Sequence, residues 1–147
     1  MAIDKQMIKG RRRARKIALQ AIYQRLVSKD ASTDIEAQFR AIHSNDKVDF
    51  DYFCRLFYGV EEASDKLDEM LEPYLDRPIK NLNPIELVVL RLAAFELAEV
   101  LETPYRIILD EAVTLSKIFG SQDGHRYVNG VLNNLAKQVR ATEIDSD

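Results

Sequence analysis

An all-α fold is what the sequence predicts, on three observations. Apolar residues recur at spacings of three and four along the chain, the period of a helix with one buried face. No stretch alternates Val, Ile or Thr with polar residues in the period-2 pattern of a strand. Only 5 glycines and 4 prolines interrupt 147 residues, too few for the many turns of a β-sandwich or barrel. With 46% apolar residues a chain of this size closes a core without a disulfide or structural metal, so residues 1–147 are read as a single helical domain.

The first helix is expected from about Lys9 to Val27, with Ala14, Ile17, Ala18, Ala21, Ile22 and Leu26 as its buried stripe. Residues 1–9 read as a flexible basic lead-in. Thr33 and Glu36 have the spacing of a capping box that opens a short second helix to about Ile42, and Ser44-Asn45-Asp46 breaks it. A third helix is expected from about Asp49 to Glu72, carrying Phe50, Phe53, Cys54, Phe57, Val60, Leu67 and Leu71 inward, with Pro73 near its end.

Asn83-Pro84-Ile85-Glu86 joins three start signals: an Asn cap, a proline with φ already set at the first helical position, and a Glu three residues after the cap. The helix it opens runs to about Leu101 and is apolar nearly all round, so it is expected at the centre of its neighbours. Thr103-Pro104 repeats the cap-then-proline signal for a helix to Phe119, and Gly120 is expected to end it in the left-handed conformation. The last helix starts near Asp123 with Val128, Val131, Leu132, Leu135 and Val139 inward. Gly130 within it predicts a close helix contact, and residues 142–147 read as a frayed tail.

Charge is unevenly spread along this chain of net charge −3. Residues 1–29 hold nine basic side chains against Asp4 alone, whereas the rest holds 12 basic and 23 acidic groups. Four arginines fall within five positions, and that density of like charge points to a polyanion as partner. Secretion and membrane insertion are disfavoured, because no signal-peptide core and no apolar run near the roughly 18 residues of a membrane span occur. A lone cysteine fits a reducing cytoplasm.

Catalytic parts are few. No Gly-rich phosphate loop, GxSxG elbow or HExxH motif is present, and Arg40 and Gln122 stand where a helical di-iron site would need Glu before each histidine. An enzyme is therefore not expected, nor a metal or cofactor. Glu61-Glu62, Asp65 and Asp68-Glu69 read as a solvated face, and His43 and His125 as surface histidines. The cationic front offers better chemistry: Arg11, Arg12, Arg13 and Arg15 carry planar forks that match phosphate bidentately. A single strand also needs flat platforms for its bases, for which Tyr23, Phe119 and above all Tyr127, next to Arg126, are the candidates. Ser121 to Arg126 ends at a helix N-terminus, which suits a phosphate; Asp123 either caps that helix or faces the ligand.

Several stretches then fall in one order between about Gly10 and Lys137. They are Arg11-Arg12-Arg13-Ala14-Arg15 leading to Gln20-Ala21-Ile22-Tyr23, Asn83-Pro84-Ile85-Glu86 with Leu90-Arg91, Pro104-Tyr105 leading to Asp110-Glu111-Ala112-Val113, and Phe119-Gly120 with Tyr127-Val128-Asn129-Gly130-Val131-Leu132. Together they resemble the NusB family of bacterial transcription antitermination factors. The resemblance implies about seven helices in two subdomains sharing one core. It implies a cytoplasmic, non-catalytic protein that binds boxA RNA of ribosomal operons jointly with NusE, a small-subunit ribosomal protein, and joins the RNA polymerase antitermination complex. By the same likeness Arg11, Arg12, Arg13 and Arg15 hold the RNA backbone. Phe119, Gln122, Asp123, Arg126 and Tyr127 form a second RNA-facing segment, with Lys80 in a neighbouring loop, and Tyr23 and Glu86 fall where the family meets NusE or the RNA beside it. This reading expects the two RNA-facing segments side by side.

Two positions depart from the family pattern: Gly124 where serine is usual, and Tyr127 where phenylalanine is commoner. Two other functions fit the same residues, a NusB-like accessory domain of a ribosomal RNA methyltransferase and a helical protein that buries its arginines in a homodimer.

Overall fold

The computed structural model describes residues 4–146. Seven α-helices, and no strand, occur among them, in two compact units that divide between Glu62 and Ala63. The N-terminal unit contains α1 (Lys5–Ser28), α2 (Ser32–Ile42) and the first half of α3 (Phe50–Leu71).

Helix α1 begins at Lys5 rather than Lys9, because Asp4 caps it: its Oδ1 accepts from the Met7 amide at 2.7 Å. The expected flexible lead-in is therefore helix from Lys5 onward, while residues 1–3 lie outside the described residues. At the other end Lys29 takes the left-handed conformation, φ 61°, and its amide donates to the Arg25 carbonyl at 3.1 Å. Leu26, expected in the buried stripe, is 41% exposed.

The capping box expected in α2 does not form. The helix starts at Ser32, with Ala31 as a cap that offers no side chain. Glu36 turns instead to the Tyr58 hydroxyl at 2.6 Å and to Arg40 Nε at 2.7 Å, since a phenol and a guanidinium together satisfy a carboxylate better than one backbone amide. The Tyr58 hydroxyl first, and Arg40 second, hold the Glu36 carboxyl below its ordinary value, while the Tyr58 phenol is pushed up to about 12. A depressed carboxyl contributes stability that is present above its unfolded value near 4.5 and is lost as pH falls through its folded value. Glu36→Gln is accordingly expected to flatten the acid limb of a plot of stability against pH, as read by urea denaturation between neutral pH and pH 3.

Phe39, Phe53, Phe57 and Phe50 form a chain of ring contacts, with centroids 5.6–6.2 Å apart, that closes the N-terminal unit. Cys54 borders it only partly buried, its Sγ accepting from Arg40 Nη2 at 3.4 Å.

The C-terminal unit takes in the second half of α3 and two short 3₁₀ turns, Glu72–Tyr74 and Ile79–Asn81, and is built on α4 (Pro84–Glu99), α5 (Tyr105–Phe119) and α6 (Gly124–Val139), which pack on one another. Helix α4 starts as expected: Asn83 Oδ1 accepts from the amides of Ile85 and Glu86 at 2.9 and 3.3 Å. It is buried from Glu86 to Leu97 except at Arg91, whose fork grips Asp68 through two 2.8 Å bonds. Asp68 is thus half-buried in an ion pair and not part of a solvated acidic face.

Helix α5 departs from expectation at both ends. Its cap position is Pro104, without a side-chain bond, and the Tyr105 amide donates instead to Glu143 Oε2 at 2.9 Å. That Glu belongs to α7 (Ala141–Asp145), a short helix where a frayed tail was expected. Gly120 is extended, φ −92° and ψ −169°, not left-handed. Its glycine is required by proximity: a Cβ there would lie 2.7 Å from the Ser116 carbonyl oxygen, which accepts the Gly120 amide at 2.8 Å.

Gly130 is the converse case, since nothing lies within 4 Å of a Cβ built on it, and the expected close helix contact is absent. Gly130→Ala is expected to raise stability by up to about 1 kcal/mol through helix propensity, and Gly120→Ala to lower it by about 1–3 kcal/mol through the clash. Paired urea denaturation curves check both signs.

Arg140, only 4% exposed, closes the unit. Its Nε donates to the Leu97 carbonyl at 2.8 Å and its Nη2 to those of Glu96 and Val100 at 3.3 and 3.0 Å, which are carbonyls a helix C-terminus leaves without partners. Its Nη1 donates to the Thr103 carbonyl at 3.0 Å and to Glu143 Oε1 at 2.5 Å.

Candidate nucleic-acid interface

The arginine front of α1 is sorted by helical phase. Arg11 and Arg15 stand one turn apart and are buried, at 9% and 4% exposure. Their guanidinium carbons lie 4.2 and 5.6 Å from the centroid of the Tyr52 ring, a cation–π stack. Tyr52 is fixed in turn by its amide bond to Asp49 Oδ1 at 2.9 Å. Gly10 allows this approach: the Asp49 amide donates to its carbonyl at 3.2 Å, and a Cβ on Gly10 would meet Asp49 Cβ at 3.3 Å. Of the four arginines expected to face a ligand, Arg11 and Arg15 are thus turned onto the Tyr52 ring, where they anchor α1 on α3.

Arg12 and Arg13 are exposed, and Arg13 Nη1 lies 3.4 Å from the Lys47 carbonyl. Tyr23, further along α1, is half-buried.

In the C-terminal unit Lys80, Gln122, Asp123 and Arg126 are exposed, while Phe119 and Tyr127 are half-buried. The Tyr127 hydroxyl accepts from the Asp76 amide at 3.1 Å, a bond that phenylalanine cannot make. The Arg77 guanidinium covers the ring at 5.1 Å and is itself clamped to Asp76 by bonds of 2.7 and 2.9 Å, which hold the Asp76 carboxyl below its ordinary value. Burial raises the Tyr127 phenol. Asp76 and Arg77 thus hold the Tyr127 side chain in place, and neither stood out in the sequence.

Glu86 is 7% exposed and turned inward, its Oε2 accepting from Ser121 Oγ at 2.7 Å. A Cβ on Gly124 would clash with this carboxylate and with Ser121 Oγ, so the glycine at the start of α6 leaves room for both. The consequence is electrostatic. A carboxylate already lies at the N-terminus of α6, where the helix dipole favours negative charge, and the Gly124 amide donates to the Ser121 carbonyl at 3.2 Å. A phosphate at this helix end, as the sequence suggested, would meet Glu86. Asp123 makes no side-chain cap, which settles its capping role in the negative and leaves its side chain in solvent.

No group of three His, Cys, Asp or Glu side chains fit to hold a metal occurs among the described residues, and none of their helices is long and apolar enough to cross a membrane.

Among the described residues these features define an all-α protein of seven helices in two compact units, with a cationic front on α1. The sequence profile of the NusB family matches residues 12–137, and the chain belongs to that family. Transcription antitermination protein NusB of Legionella pneumophila (strain Corby) is 60% identical over 145 residues, covering 99% of each chain, and that of Idiomarina loihiensis is 52% identical over 133 residues, covering 90% of this chain and 96% of the relative. Among solved structures, NusB of T. maritima superposes with a TM-score of 0.77 at 29% identity, over 87% of this chain and 91% of that one. A chain of the crystal structure of antitermination factors NusB and NusE in complex with double-stranded RNA shares the fold, with a TM-score of 0.80 at 22% identity over 89% and 98%.

Proposed function

We propose that this chain is a cytoplasmic transcription antitermination protein that binds boxA RNA of ribosomal operons jointly with NusE and joins the RNA polymerase antitermination complex, without catalysing a reaction of its own. Family membership supports the class of function, and the solved assembly of NusB and NusE with RNA supports the partners. The observation that carries the RNA assignment is the sorting of the α1 arginines: Arg11 and Arg15 fix the helix on Tyr52, and Arg12 and Arg13 stand on its exposed side.

In this reading Arg12 and Arg13 hold phosphates. Lys80, Gln122, Asp123, Arg126 and the exposed part of Phe119 contribute from the C-terminal unit, and Tyr127 offers a base the ring that Arg77 and Asp76 hold in place. Asp123, an anion, accepts from a base and does not touch phosphate. Tyr23 is assigned to the surface for NusE, and Glu86 acts behind it by shaping the start of α6.

Titration of a boxA oligoribonucleotide and a scrambled control, each with and without NusE, tests the function: tighter binding of boxA that NusE strengthens supports it, and equal weak binding of both overturns it. Tyr127→Ala is expected to weaken boxA binding by about tenfold while changing the scrambled strand less, as stacking on one ring is worth about 1–3 kcal/mol per base. Fluorescence anisotropy on the two strands measures the difference.

A further inference from the structure

Beside the arginine front, the N-terminal unit carries two adjoining grooves between α1 and the loop that precedes α3. One, of about 540 Å³, is lined by Arg13, Lys16 and Gln20 of α1 and by His43, Asn45 and Lys47 of the loop. The other, of about 530 Å³, shares Arg13, Lys47 and Val48 with it and adds Lys9. Each has the volume of a small-ligand site, about 300–1,000 Å³.

Helical phase builds the cationic wall. Lys9, Arg13, Lys16 and Gln20 follow the four- and three-residue spacing of one stripe along α1, separate from the stripe of Arg11 and Arg15. The facing wall is held by strain and by bonds. Lys47 adopts the left-handed conformation at a non-glycine residue, φ 50°, and lines both grooves, while its carbonyl takes the Arg13 contact. Asp46, which also lines the first groove, accepts from His43 Nδ1 at 2.7 Å, and Asp49, which lines the second, accepts from the Tyr52 amide at 2.9 Å. No carboxylate pairs with Lys9, Lys16 or Lys47 among the described residues. His43 is also fixed by Phe39, stacked at 6.1 Å with 8° between the rings. With Asp46 accepting from Nδ1, Nε2 of the neutral ring is an acceptor.

Three cations beside two amides and an oriented imidazole match a nucleotide better than a bare phosphate or an acidic peptide, since the amides read base edges. We propose that this groove is a further RNA subsite: Lys16 and Lys47 take a phosphate, and His43, Gln20 and Asn45 meet the adjoining ribose and base, so that the strand is held beyond the nucleotides bound by Arg12 and Arg13. The proposal rests on the RNA-binding function above.

The test uses the full chain with NusE and three oligoribonucleotides: minimal boxA, boxA extended by a few nucleotides at the 5′ end, and boxA extended at the 3′ end. One extension is expected to tighten binding about tenfold. Lys16→Gln with Lys47→Gln, and separately His43→Ala, are expected to abolish that gain while leaving affinity for minimal boxA within about twofold. Thermal melts of the variants check that they fold. If neither extension tightens binding, or if the gain survives both variants, the subsite is wrong and the function stands. If minimal boxA itself fails to bind, the function falls and the subsite with it.

Discussion

Arg140→Met destabilises the folded chain by about 3–5 kcal/mol, the cost expected when one partner of a buried charged network is removed. The side chain of similar length fills the space, so the loss is not one of packing. What is lost is a set of donors: the carbonyls of Glu96, Leu97 and Val100 at the end of α4, and that of Thr103, are left without the guanidinium. Glu143 then loses its partner in the Arg140 pair while still accepting from the Tyr105 amide. Arg140→Lys recovers little, because an ammonium cannot reach carbonyls on both sides of a planar fork. Urea denaturation is the measurement, with the midpoint lowered and the slope unchanged; a loss below about 1 kcal/mol would show that water replaces the network.

Arg12→Ala combined with Arg13→Ala weakens RNA binding about tenfold to a hundredfold at low salt, for boxA and scrambled strands alike, because phosphate contacts carry no sequence information. Arg11→Met and Arg15→Met behave differently. Each removes a guanidinium from the Tyr52 ring, so each costs about 1–2 kcal/mol of stability and changes the RNA affinity of the folded fraction little. Anisotropy titrations alongside denaturation curves separate the two pairs. Equal effects of all four arginines on RNA binding would contradict the division between anchors and contacts.

Local signals were legible in the sequence. The start of α4 needs only Asn83, Pro84 and the apolar run after them, all within one helical turn or two, and it appears as read. The positive front of α1 was equally plain, as was the family likeness. The sorting of its arginines was not, because i and i+4 fix which residues share a face but not which face meets an aromatic ring. Tyr52 decides that.

Arg140 escaped notice for a similar reason: its acceptors are backbone carbonyls 37 to 44 residues away in sequence, and no side-chain pattern announces a carbonyl. Asp76 and Tyr127 meet across 51 positions. The glycines show the limit most clearly. Gly120 read as a left-handed stop and Gly130 as a close contact, yet the first is a close contact in extended backbone and the second faces open space. Gly124, a departure from the family pattern, became intelligible only beside the Glu86 carboxylate.

Whether the exposed arginines of α1 hold RNA phosphates is read from the salt dependence of boxA binding. Neutralising three to five phosphates of a single strand gives a slope of log affinity against log salt of about −2 to −3.5. Arg12→Ala with Arg13→Ala is expected to make this slope shallower by about 1.4, two contacts at about 0.7 each. A double variant that folds and keeps the slope of the unchanged chain would contradict it.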